Sequence, residues 1–365
     1  MDLRNFSGAK ERREFLEKKL AVKLENIADI HIDYEKNIHC ENLIGATILP
    51  LGVAGPLNGH YIPLATTEGA LVASVNRGCK AIELSGDAEI AVETVGTTRG
   101  PVFETAGIKE SLKFKRWLDD NFDGLKKKAE KTSSHLKLKK LGTRIAGRYV
   151  YVRFYYNTGD AMGMNMVTIA TDTLDRFIES ETGIRCLSVS GNFCIDKKPS
   201  WLNFISGRGR RVWAEAVLKK NVIEPVLKTT AKKIYQVWLT KCLIGSAMSG
   251  ALGFNSHYAN IVAAFFAATG QDLAHVVEGS QGITVAEQLD NGDLYFSVYM
   301  PSVMLGTVGG GTKLTVKQEA IKITKAKNAL ELAEVLGGAV LAGELSLLAS
   351  LSEGSLAKAH TKLGR

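Results

Sequence analysis

The stretch GRYVYVRFYYN (147–157) runs directly into TGDAMGMNMVTIATDTLDRFIE (158–179), and this junction is the most informative about the fold. The alternating β-branched and aromatic residues of the first part are typical of a strand. The second part predicts a glycine turn that leads into a helix, and RCLSVSGNF (185–193) returns to a strand pattern. Residues 101–188 are therefore interpreted as a βα-rich unit inserted between two longer regions rich in apolar residues and glycine.

The regions on either side of this unit have different patterns. Residues 9–27 predict an amphipathic, charged helix that covers or docks a larger body. Residues 66–86 predict a helix with Thr66 or Thr67 as its N-cap and Glu68 in its first turn. The other predictions are apolar strands with glycine turns from residue 41, helices at 212–236 and 256–274, a strand with a glycine turn at 293–312, and a closely packed buried helix at 332–351.

The composition is that of a globular protein with a basic surface. The chain has 365 residues, of which 45% are hydrophobic and 23% charged, so disorder is excluded and two or three domains are expected. The net charge is 46 − 38 = +8, which favours an anionic partner such as nucleic acid, a membrane surface or a phosphorylated small molecule. Residues 108–140 are the most basic segment, with eleven Lys/Arg against five Asp/Glu.

Cysteine usage and the chain's ends indicate a cytoplasmic protein. The five cysteines are odd in number and form no C-x-x-C pair, which predicts reduced thiols and no zinc site; they are Cys40, Cys79, Cys186, Cys194 and Cys242. The N-terminal residues carry charges instead of the apolar core of a signal peptide. No run of roughly 18 apolar residues lacks charge or glycine, so no membrane helix is predicted.

Charged residues among small or apolar neighbours are the first candidates for chemistry, because burial is costly for a charge without a partner or a function. Each has an ordinary structural explanation as well. Glu68 would complement a helix dipole, Asp272 would end a helix, and a single lysine such as Lys241 commonly lies along the surface. The candidates are Glu68, Arg99, Lys197, Lys198, Lys241 and Asp272.

The run Asp196–Lys197–Lys198 is the strongest of these candidates. Cys194 and Ile195 before it, and a proline and tryptophan after it, indicate partial burial. Two ammonium groups beside one carboxylate are suited to hold an anion, or to face an oxygen that becomes negative in a transition state. The alternative is a solvated turn.

Two glycine-rich turns are candidates for binding a dinucleotide. GDAMGMN (159–165) lacks the G-x-G-x-x-G spacing, so the sequence does not indicate a Rossmann fold. Gly159 and Gly163 before a helix would still expose backbone N–H groups to a pyrophosphate, and VGGGT (308–312) offers the same arrangement. The methionines of the first turn are more often core residues than a cofactor surface.

Eleven segments, in family order from residue 41 to residue 360, resemble one family: 3-hydroxy-3-methylglutaryl-coenzyme A (HMG-CoA) reductase. They are ENLIGATILPLGVAGPL, TTEGALVASVNRGCKA, TTRGPV, GDAMGMNMV, SGNFCIDKKPS, GRGRRVWAEAV, KCLIGSAMSGALGFNSHYANIV, TGQD, MPSVMLGTVGGGT, LAGELSLLA and AKAH. The resemblance is closer to the eukaryotic and archaeal branch, class I-like and in its soluble catalytic portion, than to the bacterial branch that uses NADH.

The resemblance implies a fold, a reaction and an assembly. The fold is α+β: a helical N-terminal part at 1–40, a large α/β domain around a long central helix at 41–100 and 189–365, and an inserted ferredoxin-like NADP-binding domain at 101–188. The reaction is the four-electron reduction of HMG-CoA by two NADPH to mevalonate and free CoA, in isoprenoid precursor biosynthesis. The implied assembly is a homodimer or homotetramer with a shared active site, without a metal, nucleic acid or a membrane.

Four catalytic residues are implied by the matched motifs: Glu68 in TTEG, Lys197 in DKK, Asp272 in GQD and His360 in KAH. In the implied mechanism, Lys197 stabilises the oxyanion formed at the thioester carbonyl, while Glu68 and Asp272 tune the proton of Lys197. Glu68 donates a proton to the aldehyde oxygen, and His360 protonates the departing CoA thiolate.

Binding residues are implied in the same way. Substrate contacts are Arg99, Ser190, Asp196, Lys198, Lys241 and Asn260. Coenzyme contacts are Asp160, Met162, Gly163, Met164, Asn165, Val308, Gly309, Gly310 and Gly311.

One departure from the family pattern concerns the coenzyme. NADPH-using members usually have an arginine near TSRF, whereas this chain reads TSSHLKLKK with Ser134 at that place. Ser133, Lys137, Lys139 or the lysines at 126–128 are then candidates for the 2′-phosphate. NADPH is the predicted coenzyme, and NADH use is left open.

Two other functions compete with this one. A nucleic-acid-binding protein would bind phosphates through residues 108–140. Against this, aromatic residues are only 7% of the chain and the basic segment has no base-stacking motif. The same fold run oxidatively with NAD would degrade mevalonate, and the residues alone do not fix the direction.

Overall fold

The structure is a computed structural model, and it describes residues 8–28 and 46–354 together with Leu3, Phe6 and Asn42. Its α-helices are α1 (Ala9–Leu20), α2 (Glu25–Ala28), α3 (Leu71–Glu83), α4 (Ile108–Asp120), α5 (Phe122–Glu130), α6 (Met164–Thr182), α7 (Trp201–Ser206), α8 (Lys220–Val222), α9 (Ala231–Val237), α10 (Ser246–Ser249), α11 (Tyr258–Thr269), α12 (Val276–Gly279), α13 (Thr315–Thr324) and α14 (Ala329–Glu353). Its strands are β1 (Leu51–Leu57), β2 (His60–Ala65), β3 (Glu89–Arg99), β4 (Val102–Glu104), β5 (Lys137–Ala146), β6 (Tyr149–Asn157), β7 (Arg185–Ser188), β8 (Gly209–Leu218), β9 (Ile283–Gln288) and β10 (Leu294–Val303). Ile223–Leu227 and Trp238–Gly245 are π-helical, and Leu273–His275 and Gly310–Lys313 are 3₁₀ turns.

The longest helix, α14, is the centre of the larger core. Asn328 begins it by accepting hydrogen bonds from two N–H groups of the first turn, a cap worth ~1 kcal/mol, and Gly354 ends it with φ +78°. Gly78 of α3 lies directly against the backbone of α14. A Cβ at this position would be 1.9 Å from the carbonyl oxygen of Ala342. The prediction of a closely packed helix at 332–351 is therefore confirmed.

α14 also has the composition of a membrane span. Among the described residues it is the one helix long and apolar enough to cross a bilayer. Eighteen of its residues are buried inside the protein, from Ala329 to Ser350, against the hydrophobic side chains of α3, α11, β8 and β10. The apolar character of this helix is accounted for by packing within the fold.

Eight strands form one antiparallel sheet in the order β7-β4-β6-β3-β8-β10-β9, with β5 on the other edge of β6. A separate hairpin joins β1 to β2. The long strand β3 belongs to both halves of the sheet: residues 89–96 pair with β8, and residues 97–99 pair with β6. β3 therefore ends at Arg99, at the junction of the two halves.

The elements from β4 to β7 form a unit with its own hydrophobic core. They follow the order β4-α4-α5-β5-β6-α6-β7, and their strands lie in the order β7-β4-β6-β5. The predicted succession of strand, glycine turn, helix and strand is confirmed by β6, Gly163, α6 and β7. The inserted domain at 101–188 stays a prediction, and this separate core supports it. The core residues are Phe103, Phe114, Leu118, Leu125, Ala129, Leu136, Leu138, Val150, Val152, Phe154, Tyr156, Val167, Ala170, Leu174, Ile178 and Ile184.

The prediction of a single helix at 9–27 is wrong. α1 ends at Leu20 because Ala21 takes a left-handed conformation with φ 53°, and α2 begins at Glu25. The Glu17 carboxylate accepts the backbone N–H of Leu24 at 2.8 Å and so fixes the break. Leu16 and Leu20 of α1, and Leu24 between the two helices, pack in one cluster with Tyr61 in β2 and Ile323 in α13.

The prediction of a helix at 212–236 is also wrong in its first part, which is strand β8. Residues 212–218 alternate buried Val212, Ala214 and Ala216 with exposed Trp213 and Glu215, the period of a half-buried strand. Pairing with β3 and β10 on its two sides overrides the helix preference of alanine and glutamate. α9 covers the end of the predicted range.

The described cysteines agree with the expected thiol state. Cys79, Cys186, Cys194 and Cys242 are free, and three of them are buried. Burial raises the pKa of the Cys79 and Cys242 thiols to about 12, which makes both unreactive at neutral pH. Cys40 lies outside the described residues.

Candidate active site

The loop with the two lysines is held between the end of β3 and helix α7. Thr98 donates to the carbonyl of buried Cys194 at 2.9 Å, and the Asn203 amide donates to the carbonyl of Ile195 at 2.9 Å. A Cβ on Gly100 would lie 2.4 Å from the Cys194 nitrogen, so the approach of β3 requires glycine there. The loop is buried at Cys194, where β3 holds it, whereas the side chain of Lys197 is 41% exposed.

Lys197 and Asp272 form the central ion pair, with 2.8 Å between Nζ and Oδ2. Lys197 has φ +57°, a left-handed conformation that costs energy for a side-chain residue and is typical of functional positions. The hydrogen bond with Asp272 raises the pKa of the Lys197 ammonium above its usual value, against a smaller effect of burial. Partial burial opposes ionisation of Asp272, but the bonds from Lys197 and the Ala274 N–H keep its pKa below the usual value. Lys197 is therefore a stable cation.

Next to this pair lies a network around the fully buried Arg208. Its guanidinium lies 3.0 Å from Asp196 Oδ1 and 2.5 Å from Glu278 Oε1, and it donates to Thr98 Oγ1 at 2.9 Å. Glu278 also accepts the ring Nδ1 of buried His275 at 2.8 Å and the backbone N–H of Lys197 at 3.4 Å. The network thus ties the lysine loop to the segment that carries Asp272.

Three members of this network also have the spacing of metal ligands. Atoms of Asp196, His275 and Glu278 lie within 4.8 Å of one another. The guanidinium of Arg208 already pairs with both carboxylates, so a metal ion bound by these residues would be repelled by a buried positive charge. We interpret the group as an ion-pair network.

The predicted substrate residues of this loop lie near one another. Arg99 is 3.9 Å from Asp196 Oδ2, with its side chain only 15% exposed, and its Nε finds no acceptor among the described residues. Lys198 donates to the Asp196 carbonyl at 3.3 Å, and Ser190 lies 3.5 Å from the Cys194 sulfur. A guanidinium, two ammonium groups and a hydroxyl therefore surround one small polar area.

Glu68 precedes its helix instead of lying in the first turn, so that prediction is wrong. α3 begins at Leu71 with Ala70 as an N-cap that makes no side-chain bond. The Thr66 hydroxyl accepts the N–H of Glu68 at 3.0 Å. This local turn uses the hydroxyl that would otherwise cap the helix, so the helix begins further along the chain. No hydrogen bond or ion pair joins Glu68 to Lys197 or Asp272 within the described part of this chain.

Lys241 and Asn260 lie on two other exposed segments. Lys241 is in the π-helical stretch before α10, a distortion often found at functional sites. Asn260 is in the first turn of α11, where its amide lies 3.4 Å from the ring Nδ1 of His257. Buried Glu344 of α14 accepts the backbone N–H of His257 at 2.6 Å, so the central helix positions the start of α11.

The two glycine turns predicted to bind the coenzyme lie side by side. The Asp160 carbonyl accepts the N–H of Thr307 at 2.9 Å, and Ala161 bridges to Val308. The Asp160 carboxylate accepts the first N–H of α14 at 2.9 Å, a structural bond that the sequence did not predict. The coenzyme residues so brought together are Asp160, Met162, Gly163, Met164, Asn165, Val308, Gly309, Gly310 and Gly311.

This place fits a dinucleotide. Gly163 caps the 19-residue helix α6 with φ +89° and without a side-chain cap, so the first N–H groups of that helix are available to an anion. A Cβ on Gly309 or Gly310 would meet no atom within 4 Å, so the backbone there borders open space. Both residues have positive φ, which favours glycine.

Of the predicted 2′-phosphate residues, Ser133 and Ser134 lie on the turn between α5 and β5, and Lys137 is the first residue of β5. Ser134 is exposed, and Ser133 accepts the N–H of His135 at 3.2 Å. The Lys137 ammonium is 3.2 Å from Glu130 and its side chain is 61% exposed, so it is accessible to an anion. His360 lies outside the described residues.

A further basic cleft was not predicted from the sequence. It has a volume of about 350 Å³, and the cations Arg77, Lys80 and Lys228 line it with Glu353 at one side. Three cations in one concave surface suit a phosphate-bearing group.

Comparison with known proteins decides the family. The profile of the family described as hydroxymethylglutaryl-coenzyme A reductase matches residues 8–365. The chain belongs to this family. The HMG-CoA reductases of Methanothermobacter thermautotrophicus and Methanocaldococcus jannaschii are each 50% identical to it, over 97% of this chain and 92% of the relative. The protein named HMG-CoA reductase 1 of Dictyostelium discoideum is 45% identical to it, over 97% of this chain and 68% of the relative.

A solved structure has the same fold. The class II HMG-CoA reductase from Streptococcus pneumoniae, bound to NADPH in open conformations, superposes with a TM-score of 0.76 at 19% identity, covering 96% of this chain and 98% of that one. The resemblance inferred from the eleven segments is confirmed, and the archaeal relatives agree with the predicted branch of HMG-CoA reductases.

Three residues of the site were not predicted: Arg208, His275 and Glu278. Two local signals were present in the sequence. Arg208 stands between two glycines, and both have positive φ, at +73° and +68°. His275 and Glu278 are three residues apart and so share one face of a helical turn. Neither signal alone indicates a buried ion-pair network.

Proposed function

We propose that this protein catalyses the four-electron reduction of HMG-CoA to mevalonate and free CoA with two NADPH. The observation that carries the proposal is the Lys197–Asp272 pair at 2.8 Å, beside Arg99 and Asp196, in a chain that belongs to the HMG-CoA reductase family. Isoprenoid precursor biosynthesis is the corresponding pathway. The thioester is reduced to an aldehyde and then to an alcohol, and CoA leaves as a thiol.

Lys197 stabilises the negative charge that develops on the thioester oxygen. Its ammonium is kept protonated by Asp272, so a positive charge is in place before the reaction begins. Glu68 donates a proton to the aldehyde oxygen, and His360 protonates the CoA thiolate so that the thiolate cannot attack the aldehyde.

The remaining cations bind the negative groups of the substrate. Arg99, Lys198 and Ser190 hold the carboxylate of the hydroxymethylglutaryl group, close to Asp196. Lys241 and Asn260 complete this region. The basic cleft of Arg77, Lys80 and Lys228 suits the phosphates of CoA.

NADPH supplies the two hydrides when it is bound. The uncapped first turn of α6 and the open backbone at Gly309 and Gly310 would hold its pyrophosphate and nicotinamide parts. Ser133, Ser134 and Lys137 would recognise the 2′-phosphate, in a unit that we interpret as an inserted ferredoxin-like coenzyme domain.

The active site is shared between two subunits of a homodimer, and two dimers pair if the assembly is a tetramer. Among the described residues Glu68 makes no bond to Lys197, which supports its supply by a partner. Apolar side chains next to the lysine loop and to Lys241 are widely exposed: Ile205 is 72% exposed and Met248 is 84% exposed. Burial of these side chains against a partner subunit would remove apolar surface from water. The free cysteines support a cytoplasmic location.

The first experiment measures loss of reduced-nicotinamide absorbance with HMG-CoA, run with NADPH and with NADH. Oxidation of two NADPH per HMG-CoA is expected, and Lys197→Ala is expected to lower kcat by ~100- to 1,000-fold because an oxyanion donor is lost. Lys322→Ala, at an exposed position on α13, is the matched control and should keep full activity. Folded wild-type protein without turnover on either coenzyme would refute the proposal.

A mixing experiment tests the shared site. Lys197→Ala and Glu68→Gln homodimers are each expected to be nearly inactive. Dissociation and reassociation of the two variants together should form heterodimers with one intact site and restore activity. Mixtures that stay as inactive as the separate variants, although mass spectrometry detects heterodimers, would contradict sharing.

A further inference from the structure

A buried histidine beneath the ion pair has an unused nitrogen. The His275 ring is fully buried, and its Nδ1 lies 2.8 Å from Glu278 Oε1. Its Nε2 has no hydrogen-bond partner among the described residues. An unpaired buried polar atom costs ~1–3 kcal/mol, so its retention at this place calls for a role.

The unused nitrogen faces the catalytic carboxylate. His275 Nε2 lies 3.7 Å from Asp272 Oδ2, the same oxygen that accepts the Lys197 ammonium at 2.8 Å. The other carboxylate oxygen, Oδ1, accepts the N–H of Ala274 at 3.0 Å. A shift of less than ~1 Å brings His275 Nε2 and Asp272 Oδ2 to the ~2.9 Å of an N–H···O hydrogen bond.

The ring itself is held rigidly from the opposite side. Glu278, to which it donates, is fixed by the guanidinium of Arg208 at 2.5 Å, and neither Arg208 nor Glu278 is exposed. Arg208 also binds Asp196 at 3.0 Å. Salt-bridged, fully buried groups of this kind change rotamer only at high cost, so the imidazole plane has one orientation.

We propose that His275 is a positioning residue of the reductase reaction, which holds the Asp272 carboxylate in the orientation that pairs with Lys197. The inference rests on the proposed function and goes beyond the residues that the family motifs assign. As the Lys197 ammonium turns toward the negative oxygen of the substrate, Asp272 loses its strongest partner. A hydrogen bond from His275 Nε2, with that from Ala274, keeps the carboxylate in place.

The charges around the ring permit this arrangement. The carboxylates of Glu278, Asp272 and Asp196 lie 2.8, 3.7 and 3.9 Å from its nitrogens, and the cations of the neighbourhood are Arg208 and Lys197. A ring that carries hydrogen on both nitrogens donates to Glu278 through Nδ1 and to Asp272 through Nε2. Both donors then meet a carboxylate.

The test separates the two nitrogens of the ring. Asparagine at 275 keeps a donor near the Nδ1 position, whereas the longer glutamine places its amide near the Nε2 position. We expect His275→Asn to lower kcat by ~10- to 100-fold, as small misplacements of catalytic groups do, with KM for HMG-CoA unchanged. His275→Gln should recover most of the rate. The alkaline limit of kcat should move to lower pH in His275→Asn, because a displaced Asp272 no longer raises the pKa of Lys197.

The control is His60→Asn. His60 is a partly buried histidine whose Nδ1 lies 2.7 Å from the carbonyl of Thr324, in the β1–β2 hairpin. The same exchange there should leave kcat and its pH profile unchanged. A wild-type rate in His275→Asn, or equal losses in His275→Asn and His275→Gln, would overturn the positioning role while leaving the reductase activity established.

One further measurement does not depend on the folding of a variant. A ¹⁵N-histidine spectrum of the wild-type enzyme should show His275 Nε2 carrying a proton, and Nε2 without a proton would overturn the inference. Wild-type protein that does not oxidise NADPH with HMG-CoA would refute the proposed function and this inference with it. The outcome for the variants and the outcome for the wild type thus separate the two failures.

Discussion

Replacing Gly78 by alanine should force the two central helices apart. A Cβ at this position would lie 1.9 Å from the carbonyl oxygen and 2.5 Å from the carbonyl carbon of Ala342 in α14. To reach even 3.0 Å the helices must separate by 3.0 − 1.9 = 1.1 Å, and the obstacle is backbone that cannot rotate away. Overpacking of this kind costs ~3 kcal/mol, at the upper end of its usual range.

The gain in helix propensity offsets part of this cost. Alanine is ~1 kcal/mol better than glycine inside a helix, so the net loss in the free energy of unfolding should be ~2 kcal/mol. Denaturant unfolding at equilibrium, followed by circular dichroism, measures it. Activity should also fall, because Glu344 lies two residues from Ala342 on α14 and fixes the segment that leads to Asn260.

The matched control is Gly124→Ala in α5, where an added Cβ would meet no atom within 4 Å. This variant should be more stable than the wild type by ~0.5–1 kcal/mol, since it gains helix propensity without a clash. If Gly78→Ala is as stable as Gly124→Ala, the close approach of α3 and α14 is not a constraint and the reasoning fails.

Two other predictions concern the small unit. Burial raises the pKa of Asp175 from 3.8 to about 8, and its carboxylate has only the weak donor Cys186 beside it. The folded protein therefore holds a proton that the unfolded chain releases, and this contribution to stability declines as pH rises from about 4 to 8. The difference in Tm between Asp175→Asn and the wild type should increase over this pH range and become constant above it. A difference independent of pH would contradict the raised pKa of Asp175. Lys137→Ala should raise KM for NADPH and leave KM for NADH unchanged, because the 2′-phosphate loses a cation. Initial-rate kinetics measure both constants. Equal changes for both coenzymes would exclude Lys137 from phosphate recognition.

Local patterns predicted the elements that have one clear period. β6 and α6 follow their alternating and helical patterns, and α14 combines a long apolar run with small residues that permit close packing. β8 was misread because alanine, valine and glutamate are compatible with a helix, and only its pairing with two neighbouring strands decides for a strand. The start of α3 was misread because Thr66 bonds within its own turn.

The candidate site was predictable where it coincides with sequence motifs. Lys197 and Asp272 were identified from the resemblance, and the structure brings them to 2.8 Å. The network under them joins Arg208 to Glu278, 70 positions further along the chain. No local pattern specifies such a contact, because it depends on how the start of β8 and helix α12 meet in the folded core.

The strand β3 has a consequence for any attempt to isolate the small unit. Residues 97–99 lie outside 101–188, yet they supply the hydrogen-bonding partner of residues 154–156 in β6. A fragment cut at 101 would leave this stretch of Phe154, Tyr155 and Tyr156 as a bare sheet edge of aromatic residues. Unprotected edges of this kind pair with other chains and aggregate. A soluble fragment therefore has to begin before Thr97, so that the protein's own strand still covers the edge.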